Sequence, residues 1–498
     1  MTSDVAPDPD HPDTLFAPGR NCWRVARAVH AAVIIDAADY FRFARAGMLA
    51  AKRQILLIGW DFDARIEIEA EAGDDGPERI GDLLSWLIDR TPGLEIYLLR
   101  WDIGVLKTLV HGQTLLALLG WIRRGRMHAR LDSHHPTGAS HHQKLIVIDD
   151  CLAFCGGIDM TANRWDTREH RDDDPQRVQP DGKPAQPWHD AAWAVDGDAA
   201  RALGDLGRAR WKRSGAKSPP RPNAPSSCWP EGLPVDFTAI DMAIARSVPL
   251  MADEQPVREI EDLYRDQIMA ARRHLYIESQ YFASRRIAEW IGARLEDDDP
   301  PEIVIINPLT AEGWLQPIAM DSARARLFRA LKLRDRRDRL RIYHPFTAGG
   351  TPIYVHAKIL IADDRVLRVG SSNVNNRSLR LDTECDLSLD TRGSGADAAQ
   401  VRRIRDGLIA EHLGVGIDRV SGMIDESGSL IATIEALRGA GKTLRLYEVP
   451  ALTEAEKWLA DNEVLDPEGP EEMFEPLARR GLFRNLRWPG RRRRHREG

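Results

Sequence analysis

Apolar positions along this chain alternate between a helical and a strand period, and the same alternation occurs twice. After Asp36, which is placed to cap a helix N-terminus, Tyr40, Phe43, Ala44, Met48 and Ala51 recur at helical spacing, and residues 55–60 form a short apolar strand. Residues 258–282 repeat that plan: Ile260, Leu263, Tyr264 and Ile268 share a helical face ahead of a strand in HLYIESQYF. Second strands are predicted in LEIYLLRW (94–101) and EIVIINP (302–308), and third ones in MHARLD (127–132) and LRIYHP (340–345). Helical stretches at 80–90 and 322–333 separate them. Strands alternating with helices predict two α/β units built on a parallel or mixed sheet.

The repeat sets the domain boundaries. Residues 1–211 form a first lobe with an N-terminal arm, and 236–394 form a second. The connection at 212–235 carries six prolines and reads as a linker or long surface segment. A polar insert at about 167–187 interrupts the first half only. Residues 395–498 hold helical patterns at 398–413 and 429–442 and no third copy, so a helical C-terminal extension is expected.

A length of 498 residues suits two or three packed units. With 43% hydrophobic and 29% charged residues the chain is globular. A net charge of −7 gives no general attraction to nucleic acid. The five cysteines, Cys22, Cys151, Cys155, Cys228 and Cys385, are odd in number and irregularly spaced, and no disulfide framework is expected from them. Cys151 and Cys155 lie near His141 and His142, but alternating burial in a strand accounts for both thiols without a metal. No cleavable targeting segment and no apolar run of about 18 residues is visible, so no membrane span is expected, and if the chain meets lipid it meets it at the surface. The tail concentrates positive charge: nine arginines lie between Arg479 and Arg496, with Leu482, Phe483, Leu486 and Trp488 among them. That pattern suits either a solvated terminus or a basic clamp on anionic lipid.

The chemistry lies in two matched segments. The first reads His142-Gln143-Lys144, four apolar residues, Asp149, then Gly156-Gly157-Ile158-Asp159. The second reads His356-Ala357-Lys358, four more, Asp363, then Gly370-Ser371-Ser372-Asn373. In a strand, His and Lys at i and i+2 share one face, which sets an imidazole beside a cation able to hold a phosphoryl oxygen. The small pairs let backbone or a hydroxyl approach an anion closely.

This duplicated H-x-K-x(4)-D frame resembles the signature of the phospholipase D superfamily, and the resemblance covers residues 36–392. HHQK (141–144), AFCGGIDMTANRWD (153–166), PWHD (187–190) and YIESQYF (276–282) are similar to the branch of eukaryotic-type phospholipases D. The resemblance implies two similar α/β lobes in a pseudo-symmetric pair, packed face to face, with the motifs meeting between them. It implies a phosphodiesterase that releases phosphatidate from glycerophospholipids through a phosphohistidine. Alternatives are a cardiolipin synthase-like transphosphatidylase and a nuclease. His142, Lys144, Asp149, His356, Lys358 and Asp363 form the signature. His142 is assigned as nucleophile and His356 as acid/base, while Asp149 and Asp363 are read as fixing turns rather than reacting. Ser371 and Asn373 are candidate phosphate donors. Glu384 is expected to hold His356, and Asp190 to hold His142. Neither cofactor nor metal is implied. The expected partner is a phospholipid at a membrane surface, with no stable nucleic acid and a monomeric chain. The setting is cytoplasmic or peripheral to a membrane, or extracellular after export without a cleavable signal.

Overall fold

The computed structural model describes residues 14–68, 74–102, 125–223, 227–251, 254–311 and 317–450. The basic tail therefore lies outside the described residues. In the first half, β1 (Arg24–Ile35), β2 (Gln54–Gly59), β3 (Glu95–Trp101), β4 (Met127–Asp132), β5 (Leu145–Ile148), β6 (Leu152–Gly156), β7 (Trp188–His189) and β8 (Ala191–Asp196) follow in order. In the second half come β9 (Phe237–Val248), β10 (Val257–Arg258), β11 (His274–Glu278), β12 (Glu302–Ile306), β13 (Leu340–Phe346), β14 (Tyr354–Val355), β15 (Ile359–Ala362), β16 (Val366–Gly370) and β17 (Glu384–Asp390). A last strand, β18 (Thr443–Leu446), closes the described chain.

Both halves follow one plan. In the first, β2, β3 and β4 run parallel, and β5, β6 and β8 continue antiparallel from β2. In the second, β11, β12 and β13 run parallel, and β15, β16 and β17 continue antiparallel from β11. The predicted strand and helix positions sit within a few residues of the observed ones. Among the described residues the helices are Ala37–Ala50, Ile80–Arg90 and Gly197–Arg213 in the first half, and Glu259–Ala270, Arg285–Leu295, Ser322–Arg334 and Asn376–Arg380 in the second.

The two halves are less separate than the repeat suggests. Two long strands that the periodicity did not single out, β1 and β9, pair antiparallel from Arg24↔Ile244 to Ala31↔Phe237 and join the halves. Sixteen described strands thus form one continuous sheet. The sheet turns back on itself, so the inner faces pack in one core: Leu145, Val147, Trp193 and Val195 share it with Ile359, Ile361, Val369 and Leu387. Trp193 Nε1 reaches across to donate to the Leu387 carbonyl at 3.3 Å. The outer faces bury separate apolar layers beneath their own helices.

The C-terminal segment is part of this core rather than an appendage. The helix Gly395–Leu413 inserts Val401, Leu408, Ile409 and Leu413 into the shared core. The second expected helix, 429–442, stops at Leu437, and Thr443–Leu446 adds an antiparallel edge strand to β13. Cys151 and Cys228 form a disulfide, with Cα atoms 5.4 Å apart, against the expectation of none. The Pro-rich connection folds back and carries Cys228 to the β5–β6 turn, a contact that cysteine spacing alone does not reveal. Among the described residues no helix is long and apolar enough to cross a membrane.

Candidate active site

Each signature histidine immediately precedes a buried strand, β5 or β15, and two short parallel bridges position it. β14 pairs with β7, setting Tyr354 against Trp188 and Val355 against His189. His141 bridges Thr383 in the same sense. The His356 amide consequently donates to the His189 carbonyl at 2.7 Å, and the His142 amide to the Thr383 carbonyl at 2.9 Å. The residue after each bridge partner is an acid, and it meets the histidine of the other half. His356 Nδ1 lies 2.6 Å from Asp190 Oδ2. His142 Nδ1 lies 3.0 and 3.1 Å from the two Glu384 oxygens. This corrects the expected pairing: Asp190 holds His356 and Glu384 holds His142. Pairing each acid with the histidine of its own motif follows chain order, whereas the bridges run between the halves.

Both acids are fully buried. Asp190 Oδ1 accepts from its neighbour's amide, Ala191 N, at 2.8 Å. Glu384 Oε2 accepts the Ser371 hydroxyl at 2.5 Å. That bond engages the Ser371 hydroxyl, expected to meet a phosphoryl oxygen, with the acid behind His142. The small-residue pairs serve the protein's own carboxylates in the same way. A Cβ on Gly157 would collide with Asp190, and one on Gly370 with Asp386. Asn373 Nδ2 makes a 3.5 Å contact with Gln280, while its buried Oδ1 has no hydrogen-bond partner.

The lysines differ. Lys144 Nζ donates to the His142 carbonyl at 2.9 Å and sits 3.3 Å from Asp159 Oδ2. Lys358 Nζ donates to the His356 carbonyl, but the position equivalent to Asp159 is the neutral Asn373. Burial, opposed by Asp190 and deepened by Lys144, brings Lys358 down to about 7. Burial followed by the lysine charges holds both imidazoles well below their ordinary range. Burial also lifts Glu384 to about 8 and Asp190 to about 6.

Asp149 and Asp363 stand at the far ends of β5 and β15. Each adopts positive φ, 51° and 54°. Asp149 accepts the amides of Lys52, Arg53 and Gln54, and Asp363 those of Arg272, Arg273 and His274. Both therefore tie the helix-to-strand corner at the start of their half and touch no reacting group.

Several site residues had no clear sequence signal. Trp188 stacks on Tyr354 at 4.7 Å and approaches His356 at 5.1 Å between ring centroids. The Arg164 guanidinium lies 4.1 Å from the Trp188 ring centroid. Trp60 stacks on Trp101 and meets His142 edge-on. The aromatics among them stand at or beside strands β2, β3, β7 and β14, a position too common to separate from core packing.

The first half's insert also hides a buried polar cluster. Asp36, His170, His189 and Glu411 converge, and His189 is shared with Glu278 and His412. Asp36 is not the helix cap expected. Its φ is 66°, and its side chain makes no capping bond. Its carboxylate instead accepts the Asp190 amide at 3.0 Å.

A protein-family model described as "Cardiolipin synthase, PLD-like domain" matches residues 264–405. The chain is 24% identical over 460 residues to phospholipase D A of Dictyostelium discoideum, covering 76% of this chain and 35% of that protein. It is 24% identical over 518 residues to phospholipase D alpha 1 of Nicotiana tabacum, covering 74% and 63%. The chain thus spans less than two thirds of the length of either relative. Among solved structures, phosphatidylserine synthase of Haemophilus influenzae Rd KW20 shares the fold, with a TM-score of 0.54 and 14% identity over 84% of this chain and 97% of that one. A PLD-like domain model and curated phospholipases D aligned along about three quarters of the chain support its placement in the phospholipase D superfamily.

Proposed function

We propose that the protein is a phospholipase D that cleaves the head group from glycerophospholipids through a phosphohistidine. The observation that carries this reading is the crossed pairing: two lysine-flanked imidazoles, His356 buried and His142 partly so, each gripped at Nδ1 by an acid from the opposite half. A group that grips Nδ1 directs Nε2 toward substrate.

The two imidazoles are held differently. His142 Nδ1 lies 3.1 Å from the Ser371 carbonyl as well as beside Glu384. A carbonyl oxygen only accepts, so Nδ1 carries the proton and Nε2 keeps its lone pair. That suits His142 as nucleophile, and its side chain is also the more exposed, 14% against 7% for His356. His356 faces a single short contact to Asp190, a carboxylate ionised above about 6. Such a partner favours the imidazolium that a leaving-group acid requires.

Lys144 and Lys358 hold the non-bridging phosphoryl oxygens. Burial first, then the lysine and Arg164 charges, hold His356 down; an arriving phosphodiester anion offsets the charge contribution and favours the protonated ring as substrate binds. His142 Nε2 then attacks phosphorus while the bond to the head-group oxygen breaks and takes the proton from His356 Nε2. The neutral His356 next draws a proton from water, whose oxygen displaces His142 and releases phosphatidate. The family-model description favours one variant of the second step, in which a lipid alcohol replaces water and the product is a new phosphatidyl ester.

The test is incubation with phosphatidylcholine and phosphatidylethanolamine vesicles, a short alcohol and a chelator, with His142→Ala and His356→Ala alongside. Phosphatidate and phosphatidyl-alcohol, both lost in the two variants, are expected. Phosphatidyl-alcohol alone would identify a transferase. A nucleic acid or another diester cleaved in place of both lipids would discard the lipid assignment.

A further inference from the structure

We propose that Asp36, His170, His189 and Glu411 form a four-coordinate site for a zinc-class divalent cation directly behind the Asp190–His356 pair. One ligand atom from each of the four residues lies within 4.8 Å of the others, and four donor pairs, measured to the nearer carboxylate oxygen, are close to the edge length such an ion imposes. His170 Nε2 lies 3.5 Å from Asp36 Oδ2 and 3.2 Å from Glu411 Oε1. His189 Nδ1 lies 3.2 Å from Asp36 Oδ1 and 2.9 Å from Glu411 Oε1. A tetrahedron with metal–ligand bonds of about 2.0–2.1 Å has edges of about 3.3 Å.

The surroundings match a metal centre in a second respect. Each imidazole gives its other nitrogen to a carboxylate: His170 Nδ1 lies 2.9 Å from Asp166, and His189 Nε2 lies 2.7 Å from Glu278. That arrangement fixes the tautomer with the lone pair facing inward, as metal-ligating histidines require. Meanwhile Asp36 Oδ2 and His189 Nδ1, both buried and aimed into the centre, have close polar neighbours but no well-aligned hydrogen bond among the described residues. A buried polar atom without a partner is costly unless something absent from the protein chain satisfies it.

Charge balance is compatible with a divalent ion. Asp36, Asp166, Glu278 and Glu411 bring four negative charges, against Arg168, 2.6 Å from Glu411, Arg177, 3.1 Å from Asp166, and Lys442, whose charge acts on Glu411, Asp36 and Asp166. The cluster stays net negative with neutral imidazoles, which a divalent cation offsets. Imidazolium protons would offset it too, and that is the alternative to be eliminated. Two imidazoles among four ligands select a zinc-type ion over calcium or magnesium, which prefer oxygen. A cleft of about 610 Å³ lined by Arg168, Glu411, Lys442, Asp236 and Gln400 leads toward Glu411 from the surface.

The ion's role would be positional. Its ligands come from the end of β1, the insert, β7 and the helix Gly395–Leu413. It would lock the helix onto the short strand whose next residue is Asp190, and whose His189 carbonyl receives the His356 amide. It does not touch the reacting centre, so the inference stands apart from the choice of substrate.

The experiment is elemental analysis of the full chain after dialysis, before and after incubation with zinc chloride, with circular dichroism as the folding control. About one zinc per chain is expected. The content should persist in the His142→Asn/His356→Asn double variant and fall in Asp36→Asn. Asp166→Asn should weaken zinc affinity about 10- to 100-fold in a chelator competition. Cobalt exchanged into the wild type should show the intense visible absorption of a tetrahedral ion. Folded wild-type protein that binds no zinc in either condition overturns the proposal and assigns the cluster to imidazolium protons. Zinc lost with the catalytic histidines also overturns it, by moving the ion to the active site.

Discussion

The crossed pairing makes Asp190→Asn and Glu384→Gln separable by leaving group. Asp190 Oδ2 sits 2.6 Å from His356 Nδ1 in a fully buried setting. Two unit charges about 4 Å apart at an effective permittivity of about 20 attract by about 4 kcal/mol, which is the imidazolium stabilisation that Asp190→Asn removes. Spread over the barrier, 4 kcal/mol is about a thousandfold in rate, within the range of about 10²–10⁴ expected for one general acid. Only a poor leaving group needs that acid. Single-turnover release should therefore be measured with choline and with p-nitrophenolate esters of phosphatidate. Asp190→Asn and His356→Ala should lose about a thousandfold with choline and less than about tenfold with p-nitrophenolate. Glu384→Gln and His142→Ala act on the nucleophile and should slow both. The reasoning fails if Asp190→Asn slows p-nitrophenolate release as severely as His142→Ala while Glu384→Gln spares it.

Three further outcomes are expected. Burial raises Glu384 from 4.5 to about 8, so the folded state binds the extra proton and the stability it confers is lost as pH rises from about 4.5 through about 8. Glu384→Gln keeps the neutral form, and its Tm relative to wild type, followed by calorimetry, should climb across that window; a flat difference would contradict the assignment. Asp149→Asn and Asp363→Asn weaken charge-assisted bonds to three backbone amides each and should cost about 1.5–3 kcal/mol in denaturant unfolding, with the folded fraction keeping its turnover. Turnover lost from fully folded protein would return these acids to the chemistry. Gly157→Ala drives a Cβ into Asp190 and should lower kcat at least about tenfold while leaving substrate binding intact; wild-type kcat would show that the close approach is not needed.

Much of the plan was legible because it depends on period. The helix-to-strand repeats and both H-x-K strands follow from apolar spacing, and the observed helix Ile80–Arg90 matches its predicted bounds. The strands that unite the halves were not legible. β1 and β9 interrupt their apolar runs with Arg27, His30, Asp241 and Arg246, whose side chains are partnered across the sheet or to a neighbouring helix. The disulfide, the crossed acids and the buried cluster share one reason for being hidden. Each joins residues tens to hundreds of positions apart, and periodicity carries no information on which distant segments meet. Asp36 shows the limit well, since an Asp before a helix reads as a cap whether its carboxylate faces the helix or turns away.

The crossing also bears on why both motifs lie in one chain. Within a single half, His142 would face no acid, because Glu384 and the Ser371 carbonyl both come from the other half. His356 would likewise lose Asp190. Neither half can then build half an active site, since the groups that orient each imidazole arrive only when the bridges His141↔Thr383 and β7–β14 form. The β1–β9 pairing makes that arrival intramolecular, replacing association of two chains with closure of one. Covalent linkage also frees the halves to diverge: Asp159 against Asn373, and Gly157 against Ser371. Those two differences set one lysine paired and the other unpaired by a carboxylate, and one acid capped by a hydroxyl and the other by a backbone amide. A symmetric centre would hold two equivalent imidazoles, whereas these differences give the two unlike surroundings, which suits the proposed division into nucleophile and acid.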